Sequence, residues 1–321
     1  MLNGDKTQRG KLRGGPVARF IFDRLLQGGI VILGVTTVVF IITRLIGDPV
    51  QMMLPIDATA EDRAVLAHAL GFDRSIGMQY LDYLRSILTF EFGDSMWQHR
   101  SALEIVQERL PATLILCAGA VLVAALVGIP LGIWAALKPG QWADRISVFL
   151  SLAGLSLPQF WLGLLFILLF SVSLRWLPSS GSSGEFSLVL PVLTLALPSL
   201  GRMAMMVRSS MIDELNSLYV RTALAKGLGI KRVVLVHAMR NAAVATVALL
   251  GWEFAAMLAG HTVVVETVFA WPGLGQAAIQ AIERQDLVLL QAIVFFVAFF
   301  IVIINFGLDI VYRLLDPRIK I

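Results

Sequence analysis

Four stretches of this chain, residues 25–43, 110–137, 146–174 and 287–308, each run for nineteen residues or more without a charged side chain. Crossing the hydrocarbon core of a bilayer takes about 20 apolar residues in a helix. In lipid the backbone must satisfy its own hydrogen bonds, which a helix does. Two further segments come close. Residues 186–201 are shorter but resume through 203–207 after Arg202, and residues 241–265 are interrupted only by Glu253 and the titratable His261. The expectation is an all-α integral membrane protein with about six transmembrane helices. Composition agrees: 15% of the 321 residues are charged and mean hydropathy is +0.80, whereas soluble domains carry about 25% charge.

The loops between these runs alternate in charge. The N-terminal tail, the 138–145 loop, residues 202–240 and the C-terminus together hold 18 of the 26 Lys and Arg. On the opposite side, residues 47–109 hold ten acids against five bases. Positive-inside bias then predicts that both termini are cytoplasmic. The net charge of +4 follows from topology. Membrane lipid is the expected surroundings, and no basic patch is left over for nucleic acid. Cys117, the single cysteine, has no internal disulfide partner and lies in an apolar run, where a thiol is inert.

Four regions are expected. Residues 1–18 form a flexible cytoplasmic tail, where Gly10, Gly14, Gly15 and Pro16 discourage a helix. Residues 19–109 hold the first span and an extracytoplasmic helical segment. Residues 110–315 form the transmembrane core with a cytoplasmic loop at 208–241, and 316–321 a cytoplasmic tail. The first run follows a basic tail, as a signal peptide would. It is too long for one, and residues 44–49 offer no small-x-small cleavage site, so it reads as a retained anchor. In the outer segment Thr59 and Asp62 form a capping-box pattern, with Gly71 as a stop after Leu70. Tyr80, Leu84, Ile87 and Leu88 recur at helical spacing. The segment reads as a small helical cap on the membrane portion, with direct solute binding as the alternative.

The chain contains no GxxxxGK[ST] phosphate cradle, no HExxH, no GxSxG and no Cys/His cluster at metal spacing. No cofactor or metal is expected on it, and any energy source is an ion gradient or another subunit. The strongest lead is the basic stretch 219–241. Val220, Ala223 and Leu224 share one helical face, Arg221, Lys226, Lys231 and Arg232 decorate the rest, and Gly227 and Gly229 interrupt. A helix docked on another protein and a basic helix resting on anionic lipid fit these residues equally.

Here the sequence resembles a known family. Arg221-Thr222-Ala223 with Gly227 is similar to the "EAA" loop of bacterial ABC-importer permeases. Tyr219-Val220-Arg221-Thr222-Ala223, Ala225-Lys226-Gly227-Leu228 and His237-Ala238-Met239-Arg240-Asn241 resemble its dipeptide/oligopeptide branch. So do Phe92-Gly93-Asp94-Ser95, Leu110-Pro111-Ala112-Thr113, Arg208-Ser209-Ser210-Met211, Glu266-Thr267-Val268-Phe269 leading into Trp271-Pro272-Gly273-Leu274-Gly275, and Asp316-Pro317-Arg318. The resemblance covers about residues 19–321. Arg221 stands where the general motif has Glu, and the usual Leu-Pro is absent after His237. Arg is common in the peptide branch, and its presence removes the salt bridge that a Glu there makes to the ATPase.

The resemblance implies a type I ABC-importer permease fold in the bacterial inner membrane and alternating access driven by ATP. It implies a second homologous permease, two cytoplasmic ABC ATPases that hold the ATP and Mg, and an extracytoplasmic solute-binding protein. The segment around Tyr219–Gly229 would be the coupling helix, with His237, Arg240 and Asn241 closing the loop. Glu253 and His261 are candidates for the translocation path, Glu253 attracting a solute amino group. A carboxyl that only ties Glu253 to a neighbouring helix is the alternative. Glu266, with Pro272, Gly273 and Gly275, reads as structural or gating. Asn305 and Asp309 read as residues that join helices or cap the cytoplasmic end. Two other classes stand beside this reading: an ion-coupled carrier with Glu253 and His261 as proton relay, and an intramembrane hydrolase, for which the nucleophile or metal is missing.

Overall fold

In the computed structural model, residues 16–46, 54, 59–69, 71 and 73–315 are described. The expected tail at 1–15, Leu70 and the 316–321 tail with Asp316-Pro317-Arg318 lie outside them, while Gly71, the expected helix stop, is described and has a left-handed backbone (φ +71°). All regular structure among the described residues is helical, apart from one isolated bridge between Asp94 and Ser101. The helices are α1 (Pro16–Ile46), α2 (Ala60–Ala69), α3 (Ile76–Thr89), α4 (Ala102–Leu137), α5 (Trp142–Ser156) and α6 (Gln159–Phe166), the last extended by a π-helical Ile167–Ser173. Then follow α7 (Val189–Leu215), α8 (Leu218–Ala225), α9 (Ile230–Val268), α10 (Leu274–Glu283) and α11 (Leu287–Leu315). π-helical turns interrupt α9 at Val233–Ala238 and Met257–His261. The first helix begins at Pro16, earlier than the tail boundary expected, because proline is well suited to the first helical position, where its missing N–H costs nothing.

Among the described residues five helices are long and apolar enough to cross a membrane, and the α5–α6 pair, bent by 110°, makes a sixth crossing if counted as one. That bend corrects the expectation of a plain span over 146–174. Pro158 has no N–H to donate, and it pushes Leu157 into extended backbone (φ −92°, ψ 125°), which ends α5.

The core is built around α7. Small residues on its neighbours let backbones touch: a Cβ on Gly132 of α4 would lie 2.6 Å from the Ala204 carbonyl oxygen. One on Gly201 of α7 would lie 2.5 Å from the Leu150 carbonyl oxygen of α5. Such close approach substitutes for the hydrophobic drive that is absent between helices in lipid. Leu116, Leu190, Leu195, Met257 and Phe269 fill the centre, and Met203, Val207, Met211 and Val234 the inner layer. Gly163 of α6 sits against Val268 and Phe269 at the outer end of α9.

The outer segment is a helical cap, as expected. Tyr83 and Ile87 are buried in one cluster with Phe40, Ile105, Leu289 and Phe295. Leu88 is the exception, 81% exposed, because the buried face runs through 80, 83, 84 and 87 and Leu88 falls one step round the helix. The capping box at α2 is present: Thr59 N–H and hydroxyl donate to Asp62 Oδ2 at 3.0 and 2.7 Å, and Asp62 N–H donates to Thr59 Oγ1 at 3.2 Å. Those hydrogen bonds hold Asp62 below the usual carboxylate value. A depressed carboxylate contributes stability above its unfolded value and loses it as pH falls through the folded one. Thr59→Ala is expected to speed amide exchange in the first turn of α2 by roughly fivefold. Acid should lower the protection factor of the same amides in the wild type, and hydrogen exchange at neutral and acidic pH, each divided by the intrinsic rate at that pH, checks both.

Candidate functional site

At the cytoplasmic end the chain turns through Asn216 and Ser217 into α8. Ser217 sits in extended backbone (φ −68°, ψ 154°) and its hydroxyl donates to the Glu214 carbonyl at 2.6 Å. Val220 is buried and anchors α8, while Leu218 (79% exposed) and Leu224 (43%) face outward. After Lys226 the helix ends on Gly227, whose φ of +82° is the left-handed conformation glycine adopts without strain. Gly227 N–H donates to the Leu224 carbonyl at 2.9 Å and Leu228 N–H to the Ala223 carbonyl at 3.2 Å. The chain then enters α9 through Gly229.

Two of the expected loop residues meet. The Tyr219 hydroxyl donates to the Glu214 carboxylate, and Asn241 Nδ2 donates to Glu214 Oε2 at 3.2 Å and to the Tyr219 hydroxyl at 3.0 Å. Burial and the Glu214 carboxylate hold the Tyr219 phenol above its ordinary value. This knot ties α7, α8 and α9 together at the membrane's inner face. Thr222 bonds back to the Leu218 carbonyl at 2.9 Å. Arg221, Ala225, Lys226 and Arg240 are exposed, and Ala223, Leu228 and His237 are half-buried. Arg221, Lys226 and Arg240 make no ion pair among the described residues. Beside the knot, Arg208 Nε donates to Asp144 Oδ1 at 2.5 Å and Nη2 to Oδ2 at 3.1 Å, bracing α7 against the start of α5.

At mid-membrane, Arg202 Nε and Nη2 grip Glu253 Oε1 and Oε2 at 2.5 and 2.7 Å, and the Ser199 hydroxyl donates to Oε2 at 2.6 Å. Arg202, counted by sequence with the inner loop, lies inside α7. The inner-side excess of bases survives without it. Glu253 is buried and its carboxylate is taken by these partners, while His261 is exposed and makes no hydrogen bond to it. A proton relay between the two is not favoured by this arrangement.

At the outer end, two motifs close on each other. Glu266 is fully buried and accepts the Thr113 hydroxyl at 2.7 Å and the Gln276 N–H at 3.0 Å. Thr113 in turn accepts the Leu274 N–H at 2.8 Å. Glu266 and Thr113 thus satisfy the first amides of α10, where a helix presents donors and partial positive charge. Gly273 is needed for this contact, since a Cβ there would lie 2.2 Å from Glu266 Oε1. Pro272 leads into that turn. Asp286, absent from the sequence-based candidates, caps α11 by accepting the Leu289 N–H at 3.1 Å and also accepts the Ser95 hydroxyl at 2.5 Å. Asp309 pairs with Arg24 Nε at 2.7 Å and joins α11 to α1. Asn305 is exposed and lines a cavity of about 770 Å³ between those helices.

The family described as "Binding-protein-dependent transport system inner membrane component" matches residues 128–321, and its companion N-terminal family matches 17–117. The Di/tripeptide transport system permease protein DppB of Pseudomonas aeruginosa is 38% identical over 89% of this chain and 94% of its own. The Glutathione transport system permease protein GsiC of Salmonella choleraesuis is 35% identical over 94% and 98%. Among solved structures, the inward-facing MetNI methionine ABC transporter aligns with a TM-score of 0.56 at 17% identity, over 67% of this chain and 97% of that one. That likeness shows the fold, a type I ABC-importer permease. The family is one of permease subunits, not enzymes. This chain belongs to the binding-protein-dependent transport system inner membrane components, the permeases of bacterial ABC importers.

Proposed function

We propose that this permease imports short peptides, or small solutes built like them, and that it is driven through α8 and its flanking turns. Importers of this family work with ATPase subunits and a binding protein. A second, homologous permease completes the pathway as a heterodimer, and each permease docks one of two ATPases that carry ATP and Mg. The printed names of the relatives, di/tripeptide and glutathione permeases, support the solute class. In this reading 110–315 is the translocating core, 19–109 an anchor with its outer cap, and the two termini are cytoplasmic tails.

The observation that carries the coupling assignment is the knot of Glu214, Tyr219 and Asn241 behind an exposed α8. The knot fixes the helix against two spans, while Leu218, Leu224, Arg221 and Lys226 are left on the outside. Apolar side chains exposed at a cytoplasmic end fit a protein groove better than the lipid headgroup layer, which rewards a basic face and a buried apolar one. ATP-driven closure of the ATPases then moves α7 and α9 as packed bodies and switches access from one side to the other.

The test is uptake of labelled dialanine by proteoliposomes. Vesicles holding both permeases, both ATPases and the binding protein should accumulate it when ATP is supplied. Vesicles holding this chain alone should not, under any imposed proton or sodium gradient. Gradient-driven uptake by the isolated chain would overturn the reading.

A further inference from the structure

One charged group inside the spans is left partly open. Arg202 lies about 20 Å along α7, a helix about 40 Å long at 1.5 Å per residue, which puts it near mid-membrane. Its Nε and Nη2 are committed to Glu253, and Nη2 also reaches Ser199 at 3.3 Å. Nη1 donates to no described residue. The Arg202 side chain is 29% exposed, whereas that of Glu253 is 2%. More of α7 is buried than of any other unbroken span, so its narrow open face is an inner face. Lipid is excluded on energetic grounds: a charged side chain at the bilayer centre costs at least about 2.5–3.5 kcal/mol, and such groups turn toward the bundle interior or a water-filled cavity.

A guanidinium is a planar fork with two usable edges. Here Nε and Nη2 are taken by Glu253 and Ser199 and Nη1 is left free, so the cation is presented and its counter-ion is hidden. We propose that Arg202 faces the translocation pathway and offers its free Nη1 to the carboxylate of a passing solute, with Glu253 holding it from behind. This rests on the import reading above and sharpens its solute class to carboxylate-bearing molecules. It also reverses the sequence-based expectation, in which Glu253 attracts an amino group. Because the pair is neutral overall, a solute carboxylate is held loosely, as release to the cytoplasm requires.

The test reads charge preference without any transported solute. In the assembled complex, on a Cys117→Ser background, Met206→Cys places a thiol one turn from Arg202 on the same face, at a side chain 38% exposed in the wild type. Its reaction rates with a sulfonate-bearing and a trimethylammonium-bearing methanethiosulfonate are compared, each normalised to a free thiol, in the nucleotide-free and the ATP–vanadate-trapped complex. The thiol should react in at least one state and prefer the sulfonate. Arg202→Gln should lower the sulfonate-to-trimethylammonium ratio about tenfold, the size expected for one charge at this range in a wet pathway. Glu253→Gln should raise the ratio and Arg202→Lys should preserve it. A thiol unreactive in both states overturns the proposal, as does a ratio that Glu253→Gln and the Arg202 variants leave unmoved. Absence of ATP-driven dialanine uptake by the wild type would count against the import reading alone, since the labelling ratio stands apart from it.

Discussion

Gly227→Asp should abolish ATP-driven uptake while the protein still inserts and assembles with its partner permease. The left-handed backbone at Gly227 (φ +82°) costs a non-glycine residue about 1–2 kcal/mol, too little to unfold a bundle of this size. A Cβ built on Gly227 meets nothing within 4 Å, so the new carboxylate projects into open space beyond α8. In the coupling reading proposed above, that space belongs to the ATPase groove. Gly227→Ala separates the two causes, because it carries comparable backbone strain without the bulk or charge. It should retain most of the transport that the aspartate variant loses. The measurements are uptake and co-purification of the ATPases, and wild-type uptake by Gly227→Asp would remove the coupling assignment.

Glu266→Ala should cost folding stability of about 3 kcal/mol or more. The side chain accepts hydrogen bonds from the Thr113 hydroxyl and from the Gln276 amide of α10. Each buried donor left without a partner costs about 1–3 kcal/mol, and more where the lost acceptor is charged. Gly273→Ala should act in the same direction by a different route, since its Cβ would lie 2.2 Å from Glu266 Oε1 and force the cap open. Thermal unfolding of the detergent-solubilised protein checks both. Because the cap pins α10 between the last two spans, both variants should also raise proteolysis at residues 270–286. A stable, protease-resistant Glu266→Ala protein would show that water replaces the carboxylate and that the cap contributes little.

The spans, the topology and the family were legible because each is written locally: an uncharged run, a basic loop, a string of motifs in order. The short helix at Leu218–Ala225 was legible down to the glycine turn after it, since αL glycine and the helix before it depend on neighbouring residues only. Long-range pairing was less so. Leu110-Pro111-Ala112-Thr113 and Glu266-Thr267-Val268-Phe269 stand more than 150 residues apart, and nothing in either run states that one caps the helix that follows the other. Arg202 is the instructive case. Two opposite charges in adjacent apolar segments have to meet, because neither is tolerated alone in lipid. The signal was present in Arg202 and Glu253, but Arg202 was read as the edge of a loop rather than as the partner its membrane depth demanded. The bend at Pro158 was visible as a proline, and its 110° angle was set by packing against α7 and the outer end of α9.

That bend has a counterpart in α9. The ninth helix is itself broken at Gly260, whose backbone leaves the helical region (φ 177°, ψ −24°), so the Asn241 knot and the Glu266 cap lie on separate arms. The third crossing is a joint. Its inner arm is bolted to α7 through Asp144 and Arg208, and its outer arm leans on Val268 and Phe269. The two broken crossings therefore lean on each other at their outer ends, so a change of angle at either break moves the outer arm of the other.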